Sequence, residues 1–137
     1  DGAYCNIDLQ TYLKMANEQR FLVVQIEDPE PLAELDAIAA LPGIDMLFFG
    51  PADFSQGIGA PGEWDDPRLL DARRRVAEAA RRHGKFAGTI GSPANLGELV
   101  AMGYRFVNIG ADVVGLSNYC RSIMKSTVNT GVFGGKA

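Results

Sequence analysis

The sequence predicts a parallel α/β fold, and its strands favour four units of a (β/α)8 barrel over an open doubly wound sheet. Three observations carry this expectation. Short apolar runs alternate with helical patterns along the whole chain. The turn after the first strand lacks G-x-G-x-x-G, and no G-x-x-x-x-G-K-[ST] occurs, so the nucleotide signatures of the open sheet are missing. The 137 residues are about half of the ~250 that a complete barrel takes, so on the barrel reading this chain is a fragment, a half that must pair, or a portion of something longer.

In chain order, Asp8 to Gln19 reads as a helix and Phe21 to Glu27 as a strand. Asp28-Pro29-Glu30-Pro31 then starts a helix carrying Leu32, Leu35 and Ile38, because the first turn tolerates proline where N–H groups have no intrahelical partner. Leu41-Pro42-Gly43 ends it. Asp45 to Phe49 is the second strand, followed by Gly50 to Ser55 and a loop rich in glycine and proline up to Asp65. Asp66-Pro67 is a cap-plus-proline helix start, with Gly84 as the stop after His83. Lys85 to Ile90 is the third strand; Ser92-Pro93 opens a helix that ends at Gly103. Arg105 to Ile109 is the fourth strand, and Asp112 to Lys125 the final helix. Residues 1–125 form one domain on this reading. The tail 126–137, with three glycines and few large side chains, is expected to be poorly ordered unless a partner holds it.

A chain that is 47% hydrophobic and 22% charged matches one ordinary soluble domain. No run approaches the ~20 apolar residues of a membrane helix, and the first residues lack the basic-then-apolar order of a secretory signal. The net charge of −4 argues against a dedicated nucleic-acid surface. Cys5 and Cys120 are isolated, so neither a disulfide framework nor a structural zinc site is read, and the cytoplasm is the expected compartment. Arg73-Arg74-Arg75 and Arg81-Arg82 are read as a solvated outer helix face, with Asp71 positioned for Arg74 or Arg75 and Glu78 for Arg82.

Chemistry is expected at the carboxyl ends of the strands, where parallel α/β folds place their sites. Along the first strand Leu22, Val24 and Ile26 share an aliphatic face that must meet the helices, so Gln25 and Glu27 point to the other side with Phe21 and Val23. A buried lone carboxylate is costly, and Glu27 therefore calls for a cation, a donor or a metal, unless it stands in solvent at the strand end. Asp53 lies just past the second strand. Two carboxylates on neighbouring strands ~4.8 Å apart suit one hard divalent ion, Mg2+, Mn2+ or Co2+, with water completing the octahedron. The competing reading makes Asp53 a turn or capping residue. Gly50 admits a ligand close to the backbone, and the N–H groups of Ala52 and Asp53 are candidate donors to a substrate carboxylate.

Val24-Gln25-Ile26-Glu27, Gly43-Ile44-Asp45, Phe49-Gly50-Pro51-Ala52-Asp53-Phe54-Ser55, Gly84-Lys85 and Phe106-Val107-Asn108-Ile109-Gly110-Ala111-Asp112 resemble the HpcH/HpaI family of metal-dependent pyruvate aldolases. Its members include 4-hydroxy-2-oxo-heptane-1,7-dioate aldolase and 2-keto-3-deoxy-sugar-acid aldolases. The likeness runs from about Asp8 to Met124 and covers the second half of that family's phosphoenolpyruvate/pyruvate-type barrel. It implies metal on Glu27 and Asp53, substrate contact by Gln25, and a pyruvate carboxylate on the backbone of Ala52 and Asp53. It also implies retro-aldol cleavage of a 4-hydroxy-2-oxo acid to pyruvate and an aldehyde, in a homo-oligomer that exchanges its last helix. The family's base histidine and its arginine belong to the first half, so no catalytic residue of that kind is expected within this chain.

His83, at a helix end on the side away from the strand carboxyl ends, is read as structural, and Lys85 begins its strand at the wrong end for catalysis. The loop from Gly57 to Trp64 either shapes the pocket mouth or is a surface excursion, with Trp64 an interface anchor or a cover for a helix end. Gly88, Gly91 and Gly110 occupy strand ends where many barrels bind phosphate, but no cation accompanies them. Two other functions stay open: a self-associating half-barrel that binds ligands without turnover, and a lyase of CoA esters, for which no basic nucleotide pocket is evident.

Overall fold

The computed structural model describes residues 3, 4 and 6–129; Cys5 and positions 130–137 of the glycine-rich tail lie outside the described residues. Strands β1 (Val23–Ile26), β2 (Met46–Phe49), β3 (Phe86–Gly91) and β4 (Phe106–Ile109) form one parallel sheet in the order β1-β2-β3-β4. A doubly wound sheet reverses its strand order at a switch point. These four strands advance in one direction only.

Helices cover one face. Ile26, Leu47, Phe49 and Ala87 point from the strands into a core closed by α2 (Leu35–Ala40), α3 (Pro51–Gly57), α4 (Pro67–Arg82) and α5 (Leu96–Met102). Leu35, Ala39, Phe54, Leu69, Val76 and Leu99 are buried there, each large aliphatic contributing about 1.5–3 kcal/mol by leaving water. Tyr104 is fully buried and donates through its hydroxyl to the Arg73 carbonyl at 2.8 Å, tying the start of β4 to the middle of α4. Burial pushes its phenol pKa far up.

The other face of the sheet is aromatic and open. Phe21, Val23, Phe86 and Phe106 are about half exposed. Phe48, Gly88 and Phe106 share one register level, and the rings of Phe48 and Phe106 meet edge-on at 6.2 Å across the glycine. A Cβ at Gly88 would stand 2.7 Å from both Met46 Sδ and Phe48 Cδ2, so glycine is what lets the two rings meet.

Capping follows the sequence. Asp8 accepts from the Thr11 N–H and starts α1 (Leu9–Gln19). Asp66 accepts from the Arg68 N–H at 2.8 Å with Pro67 opening α4, and hydrogen bonds from the Arg68 side chain and backbone hold its carboxyl down to about 2. The final helix, α6 (Asp112–Asn129), is longer than expected and takes the first residues of the supposed tail. Among the described residues no helix is long and apolar enough to cross a membrane.

Five local expectations are corrected. Gly50–Ser55 was expected to lead into a loop; Pro51 instead opens α3, since Phe54 buries against Phe49 with ring centroids 5.3 Å apart and draws the segment into two helical turns. The segment after β1 begins as a 3-10 helix, Glu30–Glu34, before α2. Ser92-Pro93 lies in a turn, because Asn95 Oδ1 accepts from both the Ser92 N–H and hydroxyl and α5 starts only after it. Leu22 is half exposed; its N–H donates to Asp45 Oδ2 at 2.7 Å, so it anchors the strand entry rather than the core. On α4 the partners differ as well: Glu78 pairs with Arg74, while Arg82 and His83 both reach Asp36 on α2. His83 is thus structural, and the two donors hold the Asp36 carboxyl below its usual range.

Arg73 departs furthest from its expected place. It is only 8% exposed, whereas the run of three arginines predicts a solvated side chain. Its position explains this: it falls on the stripe with Leu69, Ala72, Val76, Ala77 and Ala80, the face that α4 turns to the sheet.

Candidate functional site

The carboxyl ends of β1 and β2 bring the Q-x-E and G-P-x-D segments together. The parallel register pairs Ile26 with Phe49, and the Gly50 N–H donates to the Ile26 carbonyl at 2.9 Å, which sets Glu27 beside Gly50 one step further on. Side chains alternate along β1, so Ile26 enters the core while Gln25 and Glu27 stand on the open face. Gln25 Nε2 donates to Glu27 Oε2 at 2.5 Å. This bond orients the carboxylate and leaves the amide oxygen of Gln25 for another donor.

Gly50 is the floor of this group. A Cβ there would lie 2.9 Å from Gln25 Nε2, 3.0 Å from Glu27 Cβ and 3.2 Å from Glu27 Oε2. A Cβ there fits only if the Gln25 amide moves and Glu27 gives way slightly. Gly50→Ala is therefore expected to displace the pair while leaving the core side of β2 intact. Amide chemical shifts of residues 25–27 moving, with a far-ultraviolet spectrum like the parent's, would show it; unmoved shifts would mean the contact is not constraining.

Pro51 opens α3 and puts Ala52 and Asp53 in its first turn, both side chains exposed. The N–H groups of the first turn have no intrahelical acceptor, so those of Ala52 and Asp53 remain donors. Ser55 is buried: its hydroxyl donates to the Ala52 carbonyl at 2.6 Å and accepts from the Gly62 N–H at 3.1 Å, fixing the glycine-rich loop against α3. The C-terminal end of α3 is held from the other side, where a Cβ on Gly57 would stand 2.9 Å from Pro29. Contact thus joins Gln25, Glu27 and Gly50, while Asp53 stands three residues further on, and among the described residues no hydrogen bond links it to Glu27.

The donor set fits a hard divalent ion in one respect. Its carboxylates are Glu27, just past β1 beside Gly50, and Asp53 in the first turn of α3, and it holds no thiolate or imidazole that would select a softer metal. Among the described residues no group of three or more His, Cys, Asp or Glu gathers. His83 and Lys85 sit away from this end, as their positions before β3 require.

Sequence reasoning missed Arg73. The signal was present, since a 3.6-residue count from Leu69 to Val76 and Ala80 puts position 73 on the apolar stripe, but three consecutive arginines read as a charged face.

Known proteins share this fold. The chain is 40% identical over 102 residues to a hydroxypyruvate/pyruvate aldolase of Pseudomonas aeruginosa, covering 74% of this chain and 38% of the relative. It is 36% identical over 110 residues to a 2-keto-3-deoxy-L-rhamnonate aldolase of Klebsiella pneumoniae, covering 77% and 40%. The chain spans about two fifths of the length of these curated relatives. Among solved structures, the citrate synthase SbnG superposes with a TM-score of 0.80 at 26% identity, over 90% of this chain and 51% of that one. An HpcH/HpaI aldolase/citrate lyase family protein from Burkholderia cenocepacia superposes with a TM-score of 0.78 at 33% identity, over 86% and 46%. The profile of the HpcH/HpaI aldolase/citrate lyase family matches residues 5–118, and the chain belongs to that family.

Proposed function

We propose that this chain forms the metal- and keto-acid-binding half of a (β/α)8 aldolase that cleaves a 4-hydroxy-2-oxo acid to pyruvate and an aldehyde. The observation that carries the reading is the Gln25–Glu27–Gly50 contact at the carboxyl ends of two neighbouring parallel strands. Its relatives are named as aldolases of hydroxypyruvate, pyruvate and a 2-keto-3-deoxy sugar acid, which supports a keto-acid substrate.

In this reading Glu27 and Asp53 hold a divalent ion. Bound there, the ion supplies a Lewis acid for the negative charge that develops on the 2-oxo oxygen as the C3–C4 bond breaks. Gln25 fixes the Glu27 carboxylate through its Nε2 and offers its amide oxygen towards the substrate. The Ala52 and Asp53 N–H groups donate to the substrate carboxylate from the first turn of α3. The C4 hydroxyl must lose a proton for the bond to break, and none of these residues is placed as its acceptor. The base therefore belongs to the other half of the barrel. Calorimetry with Mn2+ followed by oxamate tests the site: oxamate is expected to bind only after the metal, and metal-independent oxamate binding would overturn the order of assembly.

Self-association belongs to the same proposal. On α6 the side chains of Val113, Leu116, Tyr119 and Ile123 are exposed, as is Cys120, a run of apolar surface that a neighbouring subunit would cover. Deleting residues 112–137 is expected to lower both the assembly state and the unfolding midpoint. Light scattering that reports the same well-folded monomer before and after the deletion would remove this part of the proposal.

A further inference from the structure

A second cleft opens between α4 and α5, beside the start of α3, with a volume of about 520 Å³. Arg73, Trp64, Asp65, Asn95, Glu98 and Ala52 are among its walls. Arg73 is 8% exposed, and among the described residues its guanidinium makes no hydrogen bond or ion pair; its Nε is fully buried without a partner. A buried cation left unpaired is unusual, because desolvation of an ion costs several kcal/mol unless a counter-charge answers it. The neighbouring arginines show the contrast: Arg68, Arg74, Arg75 and Arg82 each find a carboxylate on the surface.

The surroundings of Arg73 are built rather than collapsed. The Tyr104 hydroxyl takes the backbone carbonyl of Arg73, which fixes this turn of α4. Asn95 spends its Oδ1 on the Ser92 N–H and hydroxyl, and among the described residues its Nδ2 amide makes no hydrogen bond. Arg73 and Asn95 thus line one space, and among the described residues neither the guanidinium nor the Nδ2 amide has a hydrogen-bond partner.

We infer that this cleft is a binding site for a carboxylate-bearing small molecule, with Arg73 as the anion-binding residue and Asn95 as a second donor. A guanidinium fork matches a planar carboxylate in two parallel hydrogen bonds. Asp65 and Glu98 on the walls oppose charge beyond what the guanidinium takes up, so succinate, whose second carboxylate lies two methylenes away and stays in solvent, is a better guest than phosphate, whose charges share one centre. Ala52 connects the cleft to the first turn of α3, so the carboxylate is held next to the keto-acid site without using Glu27 or Asp53.

Trp64 is the single tryptophan of the sequence and lines the cleft, so its fluorescence reports occupancy directly. The test titrates succinate, and separately inorganic phosphate, into the metal-free 137-residue chain, so its outcome does not depend on the aldolase reading. A saturable change with succinate is expected, weakened at least about tenfold in Arg73→Met and partly retained in Arg73→Lys. Arg73→Met is also expected to unfold at or above the parent's midpoint, since an unpaired buried charge has been replaced by an apolar chain of similar length. The inference is overturned by the absence of a saturable succinate response or by unchanged affinity in Arg73→Met. Phosphate binding more tightly than succinate overturns the choice of carboxylate. A midpoint for Arg73→Met well below the parent's overturns it too, by assigning Arg73 a structural role.

Discussion

Glu27→Ala and Asp53→Ala are each expected to abolish divalent-ion binding while the fold survives. Glu27 stands on the open side of β1, opposite the core-facing Ile26, and Asp53 is exposed in the first turn of α3, so neither removes apolar packing. Among the described residues the proposed site has only these two carboxylates, so loss of either would leave an ion with a single carboxylate ligand and water. Calorimetry with Mn2+ checks this, with the thermal midpoint as the control for folding. Unchanged manganese affinity in both variants would remove the metal assignment. Gln25→Ala is expected to behave differently: it frees Glu27 Oε2 from its hydrogen bond yet leaves both carboxylates, so manganese affinity stays nearly intact and oxamate binding weakens. If all three variants gave one phenotype, the division between metal and substrate residues would fail.

The second large effect concerns turnover. The 137-residue chain alone is expected to bind Mn2+ and pyruvate yet to cleave a 4-hydroxy-2-oxo acid poorly. Polarising the carbonyl without a positioned proton acceptor forgoes the ~10²–10⁴-fold that general acid–base catalysis contributes. Joining the chain to the amino-terminal half of a relative's barrel, on one polypeptide or in trans, is expected to restore that factor. The sheet is prepared for such a partner: β1 and β4 are its two edges, and Phe21, Val23, Phe86 and Phe106 are open on its uncovered face. A coupled assay of pyruvate release, run with and without the added half, decides the matter. Full activity from the 137 residues alone would place the proton acceptor within them or on metal-bound water, against the proposed division of labour.

The two outcomes separate the questions that the family relationship leaves together. Loss of manganese binding in Glu27→Ala locates the ion whatever the chain turns over. Restored turnover on adding the other half locates the base whatever aldehyde is released.

Much of this molecule is written in local pattern. The alternation Val24, Ile26 against Val23, Gln25, Glu27 announces which side of β1 carries polar groups, because a strand repeats every two residues. Asp66-Pro67 and Asp8 mark helix starts, since a carboxylate beside free N–H groups and a proline without one are both stable there. Q-x-E and G-P-x-D are each legible as polar groups just past an apolar run. These features depend on residues a few positions apart, and sequence by itself determined them.

Other features needed the chain to be folded. The sequential order β1-β2-β3-β4, which sets this sheet apart from a doubly wound one, depends on which strands meet across long crossovers. Gly50 could be read as permissive, but only the paired strands reveal that its missing side chain makes room for Gln25 and Glu27. Residues after Gly50 rich in loop formers became helix α3 because Phe54 gained more by packing on Phe49 than the local preferences opposed. Arg73 is the sharpest case. Its charge argued for solvent and its position on the stripe argued for burial, and the packing of that face of α4 against the sheet decided for burial. Burial of a charge is set by what surrounds it in space, and the cleft that receives it exists only where α4, α5 and the start of α3 come together.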